Sequence, residues 1–521
     1  MRLCLTRRAL LCSLAFTALC AAQPSIDAVA ERTLKEFEVP GIAVGIVKDG
    51  QLVFAKGYGV RRLGEPASVT PKTLFGVASN SKAFTAAALA ILVDDGKLKW
   101  DDPVIQHMPA FQMYDPYVTR ELTVRDLLVH RSGLGLGAGD LMYFPPSDLS
   151  RDEIVRRLRF VKPSTSFRSR YAYDNILYIV AGQLIAAVSA QSWEQFIAAR
   201  ILTPLGMTAT RTSVRALTAS DEVAAPHARA DGKLQPGLPE KSDNWVAAGG
   251  LNSSVEDMAK WVIAQLNEGS LGNGKRLFSA AQTREMWTPH TIMPFRPATG
   301  PLAVTTPNFQ AYALGWNVSD YRGRKLVQHT GGLAGMVTRV TMAPDLKLGV
   351  LVFTNQEVGG AFNALTYTIL DHYMAAPATD WVTAFADAQK RRESEAGATV
   401  KKAADGRNAA SKPSLPLAAY AARYRDAWYG DIVVEEQAGK LRIRFTHSPD
   451  LVATLEHWQY DTFVARWDNR TLLADAYVTF SLKADGSIRD VLMSAISPLT
   501  DFSFDFHDLW LRPVAKDAKP Y

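Results

Sequence analysis

Apolar residues recur at helical spacing from residue 25 to 37 (Ile26, Val29, Ala30, Leu34, Phe37), and Pro40-Gly41 ends the pattern. Two strand-like runs follow, 41–47 and 51–57, joined around Asp49-Gly50, a turn signal of hairpins. A long apolar helix is predicted over 79–93, closed by Asp95-Gly96. Shorter helical stretches are expected at 124–129, 175–189 and 255–267. Strands are expected at 337–342 and 348–354, and a helix at 361–374. Helices and strands therefore come in blocks rather than as βαβ units, which predicts an α+β domain with an antiparallel sheet.

The texture changes after Gln389. Residues 389–413 carry charges and small side chains with almost nothing large and apolar, so they read as a linker, or an exposed helix ending in one. Beyond 413 the pattern is all-β: 430–436 and 440–445 flank Gln437-Ala438-Gly439, and 477–483 and 487–493 flank Ala484-Asp485-Gly486. A small barrel or sandwich is expected over 414–521. Trp428, Trp458, Trp467 and Trp510 would line a ligand cavity there or, more commonly, fill its core.

The N-terminus reads as a signal peptide over residues 1–22. Arg2, Arg7 and Arg8 precede the apolar stretch 9–18, and Ala21-Ala22 offers a cleavage site. Thr6-Arg7-Arg8 leaves twin-arginine export open beside the general route. Leu19 before Cys20 argues against a lipoprotein. The mature protein is thus expected in the periplasm or secreted, with no membrane association. Cys4, Cys12 and Cys20 are the only cysteines and all lie in this leader, which excludes a catalytic thiol, a thiolate zinc site and disulfides from the mature chain. The net charge of +6 drops to about +3 without the leader arginines, too little to argue for nucleic acid.

The first candidate chemistry is Ser79-Asn80-Ser81-Lys82. Residues i and i+3 share a helix face, so Lys82 can reach the Ser79 hydroxyl. A helix N-terminus also offers N–H groups and a positive dipole end to a developing oxyanion. Serine needs a base to become a nucleophile, and a lysine serves only if its pKa is lowered. Gly269-Ser270-Leu271-Gly272-Asn273-Gly274-Lys275 imitates a phosphate-binding loop, but Arg276 replaces the required hydroxyl residue and a turn is expected.

The segment from Phe75 through Ser79 and Lys82 to Leu98 resembles the nucleophile helix of the class C β-lactamase and penicillin-binding serine hydrolase family. Val39-Pro40-Gly41 with Lys48-Asp49-Gly50, the run Thr123 to Leu134, and Ala248-Gly249-Gly250-Leu251 with Asp257-Met258-Ala259 resemble it in the same order, over roughly residues 25 to 380. The resemblance implies a β-lactamase/transpeptidase-like domain over 23–388. Tyr173-Asp174-Asn175 is similar to the family's Tyr-x-Asn motif, which implies that Tyr173 moves protons with Lys82 and that Asn175 orients a substrate amide. His329-Thr330-Gly331-Gly332 is similar to its Lys-Thr-Gly strand, which implies substrate binding by Thr330, Gly331 and Gly332 and an oxyanion hole from the Ser79 and Gly332 N–H groups. Histidine stands at 329, as in the D-alanyl-D-alanine carboxypeptidase, D-aminopeptidase and esterase branches. It is a weaker anchor for a carboxylate than lysine and a better partner for the catalytic tyrosine. His130, in the turn before Ser132-Gly133, is expected to be structural.

The C-terminal region resembles the lipocalin-like domain of some relatives, which implies a role at the active-site entrance or in a homo-oligomer. The expectation is covalent serine catalysis on a small peptide, amide or ester, with D-amino-acid peptides favoured, β-lactam hydrolysis secondary, and no metal or cofactor implied. The alternative is a catalytically silent peptidoglycan-binding protein on the same scaffold.

Overall fold

Strand β1 (Gly41–Lys48) is buried along nearly its whole length, although its sheet is antiparallel. The reason is that both faces of the sheet are covered, which turns the usual alternation into a continuous apolar run. The computed structural model describes residues 25–515 and 517–519, so the leader and its cysteines lie outside the described residues. Its main helices are α1 (Ile26–Phe37), α2 (Ser81–Asp94), α3 (Ile176–Ser189), α4 (Val255–Leu266), α5 (Gly359–Tyr373) and α6 (Trp381–Asp405).

The first sheet has eight strands. β1 is followed in the chain by β2 (Gln51–Gly59), β3 (Thr291–Ile292), β4 (Gln310–Tyr312), β5 (Asn317–Tyr321), β6 (Arg324–Leu333), β7 (Met336–Ala343) and β8 (Leu348–Thr354). The spatial order is β2-β1-β8-β7-β6-β5-β4-β3. Ile42, Val44 and Ile46 face the terminal helices, where Val29, Phe37, Leu365, Ile369 and Trp381 meet them. Ala43 and Val47 face the opposite layer, which holds Phe84, Leu89, Trp261 and Val262. Helix α2 is buried from Ser81 through Leu92. A helix apolar all round belongs in the centre of a domain, and α2 carries Lys82 there.

One expectation changes and one alternative is decided. The helix expected at 124–129 is a single tight turn at Arg125–Leu127. Asp126 accepts from Thr123 and ties to Arg131 and Arg168, so its carboxylate organises a loop instead of facing solvent from a helix. Of the two readings of residues 389–413, the structure has the exposed helix ending in a linker: residues 389–405 continue α6. The loop mimicking a phosphate site is a short hairpin, Ser270–Gly272 with Lys275–Arg276.

The C-terminal domain is a nearly closed antiparallel barrel. Its strands are β9 (Ala422–Asp426), β10 (Gly430–Gln437), β11 (Lys440–Phe445), β12 (Val452–Gln459), β13 (Thr462–Trp467), β14 (Ala476–Leu482), β15 (Ile488–Ala495) and β16 (Arg512–Pro513). They follow chain order, with β16 beside β9. Val491 and Leu511 exchange backbone hydrogen bonds of 2.8 and 3.2 Å, which draws the two ends of the sheet together and removes an open edge. Trp428 and Trp467 are core residues, whereas Trp510 is 44% exposed. Between β15 and β16 the chain leaves the barrel, reaches the first domain at 501–505, and returns with Phe506 stacked on Trp467.

Candidate active site

Ser79 sits in the tight turn Ala78–Asn80 that runs directly into α2. Ala78 holds a left-handed φ of 48°, an unfavourable conformation for alanine that the surroundings enforce. Asn80 Nδ2 donates to the Val77 carbonyl and to Thr338 Oγ1, and Thr338 Oγ1 donates to the same carbonyl. Val77 N–H bonds Leu251 O, and Ser81 Oγ accepts from Leu251 N–H. Strand β6 lies so close that a Cβ on Gly331 would fall 2.1 Å from Val77 O, so this position needs glycine for lack of space.

Lys82 is completely buried, and its Nζ has three partners: Ser79 Oγ at 3.0 Å, Asn175 Oδ1 at 2.7 Å and Ala248 O at 2.9 Å. Two of the three are pure acceptors. A neutral amine satisfies them with its two N–H bonds and turns its lone pair toward the Ser79 hydroxyl. Burial pushes the amine down to about 7, against the opposing fields of Asp140 and Asp174. Proton abstraction from Ser79 is therefore accessible near neutral pH.

Asn175 precedes α3 and is held from its far side. Its Nδ2 donates to Asp140 Oδ2 at 2.8 Å, which leaves Oδ1 for Lys82. Tyr173 shares a hydrogen bond with Ser79, yet burial drives its phenol well above the ordinary value. Lys82 Nζ lies over the Tyr173 ring, 4.9 Å from the centroid. The resting Tyr173 is thus a neutral phenol suited to proton donation, while the amine is the better base.

His329 is buried between two partners. Its Nδ1 bonds the Thr330 carbonyl at 2.6 Å, so Nε2 accepts from Tyr312 Oη at 2.7 Å. Its hydrogen-bonded tyrosine is therefore Tyr312, and the rings of His329 and Tyr173 are 6.3 Å apart. Burial, then the charge of Lys82, lowers His329 to about 3, so it is neutral and offers no fixed cation. Thr330 and Gly332 are exposed on β6, where Gly332 pairs with Val337 beside the turn that carries Ser79. His130 is buried, accepts at Nδ1 from Asp174 N–H and packs on Tyr173 with centroids 4.2 Å apart.

Asp140, Tyr312, Ser503 and Phe502 also belong to this site, and none stands out in the sequence. Ser503 Oγ donates to Asp140 Oδ2 at 2.8 Å, and the Phe502 ring meets Tyr173 edge-on at 5.9 Å. Asp140 lies in a glycine-rich loop resembling any other, and residues 502 and 503 arrive from the second domain. Among the described residues no group of three or more His, Cys, Asp or Glu is placed to hold a metal ion.

Comparison with known proteins bears on this geometry. The family model described as Beta-lactamase matches residues 26–374, and a domain of unknown function, DUF3471, matches 406–513. The unguisins hydrolase ungD of Aspergillus violaceofuscus is 31% identical over 474 residues, covering 83% of this chain and 81% of that protein. Protein flp of Staphylococcus aureus is 28% identical, covering 64% of this chain and 63% of its own. The octameric penicillin-binding protein homologue from Pyrococcus abyssi shares the fold with a TM-score of 0.59 at 23% identity, covering 90% of this chain and 97% of its own. A class C beta lactamase from Rhodobacter sphaeroides superposes with a TM-score of 0.54 at 21% identity, over 67% of this chain and 99% of its own. With the family model covering residues 26–374, more than half of the chain, and Ser79, Lys82, Tyr173 and His329 brought together in one site, this chain belongs to the beta-lactamase family of serine hydrolases.

Proposed function

We propose that this chain is an exported serine hydrolase that cleaves small peptides, amides or esters through a covalent acyl-enzyme, with D-amino-acid peptides as the favoured substrates. The observation that carries this reading is the fully buried Lys82 Nζ, held by the Asn175 and Ala248 oxygens with Ser79 Oγ at 3.0 Å. In the first half-reaction Ser79 Oγ attacks the carbonyl carbon while its proton passes to Lys82 Nζ. The backbone N–H groups of Ser79 and Gly332 would hold the oxyanion, since donors fixed at the end of α2 need no reorganisation. Tyr173 donates its phenolic proton to the departing amine or alkoxide and is reprotonated from Lys82. Water then attacks the acyl carbon, and the same groups return the proton to Ser79.

The neutral His329 supports peptide or ester hydrolysis over β-lactam resistance, because a neutral imidazole bonded at both nitrogens adds little attraction for a carboxylate. The relatives named as unguisins hydrolases support hydrolysis as the chemistry. The test is labelling of the folded protein with a fluorophosphonate, followed by a panel of paired D- and L-aminoacyl nitroanilides, nitrophenyl esters and nitrocefin. Ser79→Ala should lose labelling and at least about 10³-fold in kcat. Wild-type protein that neither labels nor turns over any of these would favour the silent binding protein.

A further inference from the structure

We propose that Ser503 of the barrel domain is a positioning residue for catalysis, acting through Asp140 and Asn175 on Lys82. The inference rests on the proposed acyl-enzyme reading and adds to it a residue of the second domain. The connection is short and closed to solvent. Ser503 Oγ and Asn175 Nδ2 both donate to Asp140 Oδ2 at 2.8 Å, and Asn175 Oδ1 receives Lys82 Nζ at 2.7 Å. Asp140 and Lys82 are fully buried, and Asn175 and Ser503 are each 7% exposed.

Each link is chemically directional. Lys82 needs an acceptor from Asn175, because an amide turned the other way would present N–H to N–H and displace the lone pair from Ser79. Only an acceptor on the far side fixes that choice, and Asp140 is that acceptor. Asp140 in turn is steadied by Ser503, and its loop is held by Asp505, which accepts the Gly139 and Leu141 N–H groups at 2.6 and 3.1 Å. Phe502 and Phe504 pin the segment against Tyr173 and Phe144. The charged and titratable groups facing Lys82, Asp140 and Ser503 are Asp174, Asp501, Asp505, His130, His329, Tyr143, Tyr173 and Tyr178.

A structural role alone would not move the titration of Lys82, and that separates the two explanations. The Ser503 hydrogen bond favours the ionised Asp140, and ionised Asp140 favours the Lys82 cation. Without the hydroxyl, Asp140 keeps its proton to higher pH and the Lys82 cation is less supported. The acid limb of activity then moves to lower pH even as positioning is lost.

The test compares full-length wild type, Ser503→Ala and Ser503→Thr on a nitrophenyl ester. Expected for Ser503→Ala are a kcat lower by about tenfold at nearly unchanged KM and an acid limb displaced to lower pH, both restored in Ser503→Thr. Wild-type kcat and an unmoved acid limb in folded Ser503→Ala would overturn the proposal. So would a loss of kcat with lowered Tm and no displacement of the acid limb. If Ser503→Ala does not fold, Asp140→Asn carries the same test, with the same displacement expected. NMR titration of 13C-labelled lysine reads Lys82 without turnover. A protein that hydrolyses nothing would therefore remove the proposed function while the Lys82 shift between wild type and Ser503→Ala still decides this point.

Discussion

At the residue scale the site separates two groups that both carry exchangeable protons. Lys82 is lowered to about 7 by burial, whereas Tyr173 is raised well above 10 by the same cause, since burial disfavours the ammonium and the phenolate alike. The base must be the group whose neutral form is populated at working pH, which is the amine. Activity should then require deprotonated Lys82, so kcat/KM should rise as pH increases through about 7 and stay level until well into the alkaline range. His329, lowered to about 3, should add no ionisation between pH 5 and 8. The measurement is kcat/KM on a nitrophenyl ester across that range. Activity unchanged from pH 8 down to 5 would show that Lys82 is not the titrating base. Because Lys82, Asp140 and Asp174 interact, the observed midpoint belongs to the group of three rather than to the lysine alone.

At the element scale, the proposed mechanism depends on how closely β6 approaches the turn before α2. Gly331→Ala introduces a methyl group 2.1 Å from the Val77 carbonyl, so strand and turn must separate. Such a displacement shifts the Gly332 N–H relative to Ser79, and a misplacement of about 1 Å is enough to cost about 10²-fold in kcat. KM should change less, because substrate contacts elsewhere persist. An active Gly331→Ala would show that the approach of β6 is not limiting. Thr338→Val removes the hydroxyl shared by Asn80 and Val77 and should destabilise the fold by ~1–3 kcal/mol, read from denaturant unfolding. These elements were legible in the sequence to unequal degrees. The hairpin of β1 and β2, the buried α2 and the run of β8 announce themselves through local periodicity and turn residues. Ser79 and Lys82 are legible because their contact is made within one helical turn, and Tyr173, Asn175 and His329 become so through order and motif. Asp140, Tyr312 and Ser503 are not, because nothing local marks them and their partners lie far along the chain. The turn at Arg125–Leu127 was misread because Asp126 draws its bonds from Arg131 and Arg168, which helical spacing does not reveal. Composition alone leaves residues 389–405 of α6 open between helix and linker, because an exposed helix without an apolar stripe has the composition of a linker.

At the scale of the molecule, the barrel is joined to the catalytic domain by buried polar contacts as well as apolar ones. Arg157 donates to the buried carbonyls of Trp428 and Tyr429, and at the exposed rim His447 bonds Asp148. Asp505 matters most, because it is a fully buried carboxyl group whose two oxygens each accept a backbone N–H of the loop that carries Asp140. Burial, followed by the fields of Asp140 and Asp508, raises its pKa well above the ordinary carboxylate value. That raised value measures a cost, which is tolerated because the alternative is two buried N–H groups with no acceptor. Asp505→Ala creates that alternative, so it should destabilise the protein by about 2–5 kcal/mol. It should also loosen the loop at Asp140, and with it Asn175. Stability and kcat should therefore fall together, although residue 505 lies in a different domain from Ser79. If the two domains unfold as one unit, Trp467 fluorescence in the barrel and ester turnover in the catalytic domain should be lost over the same temperature interval. Calorimetry should then show one transition in the wild type. Two separated transitions, with turnover surviving the melting of the barrel, would mean that the catalytic domain holds Asp140 in place without help, and Asp505→Ala would then leave kcat unchanged.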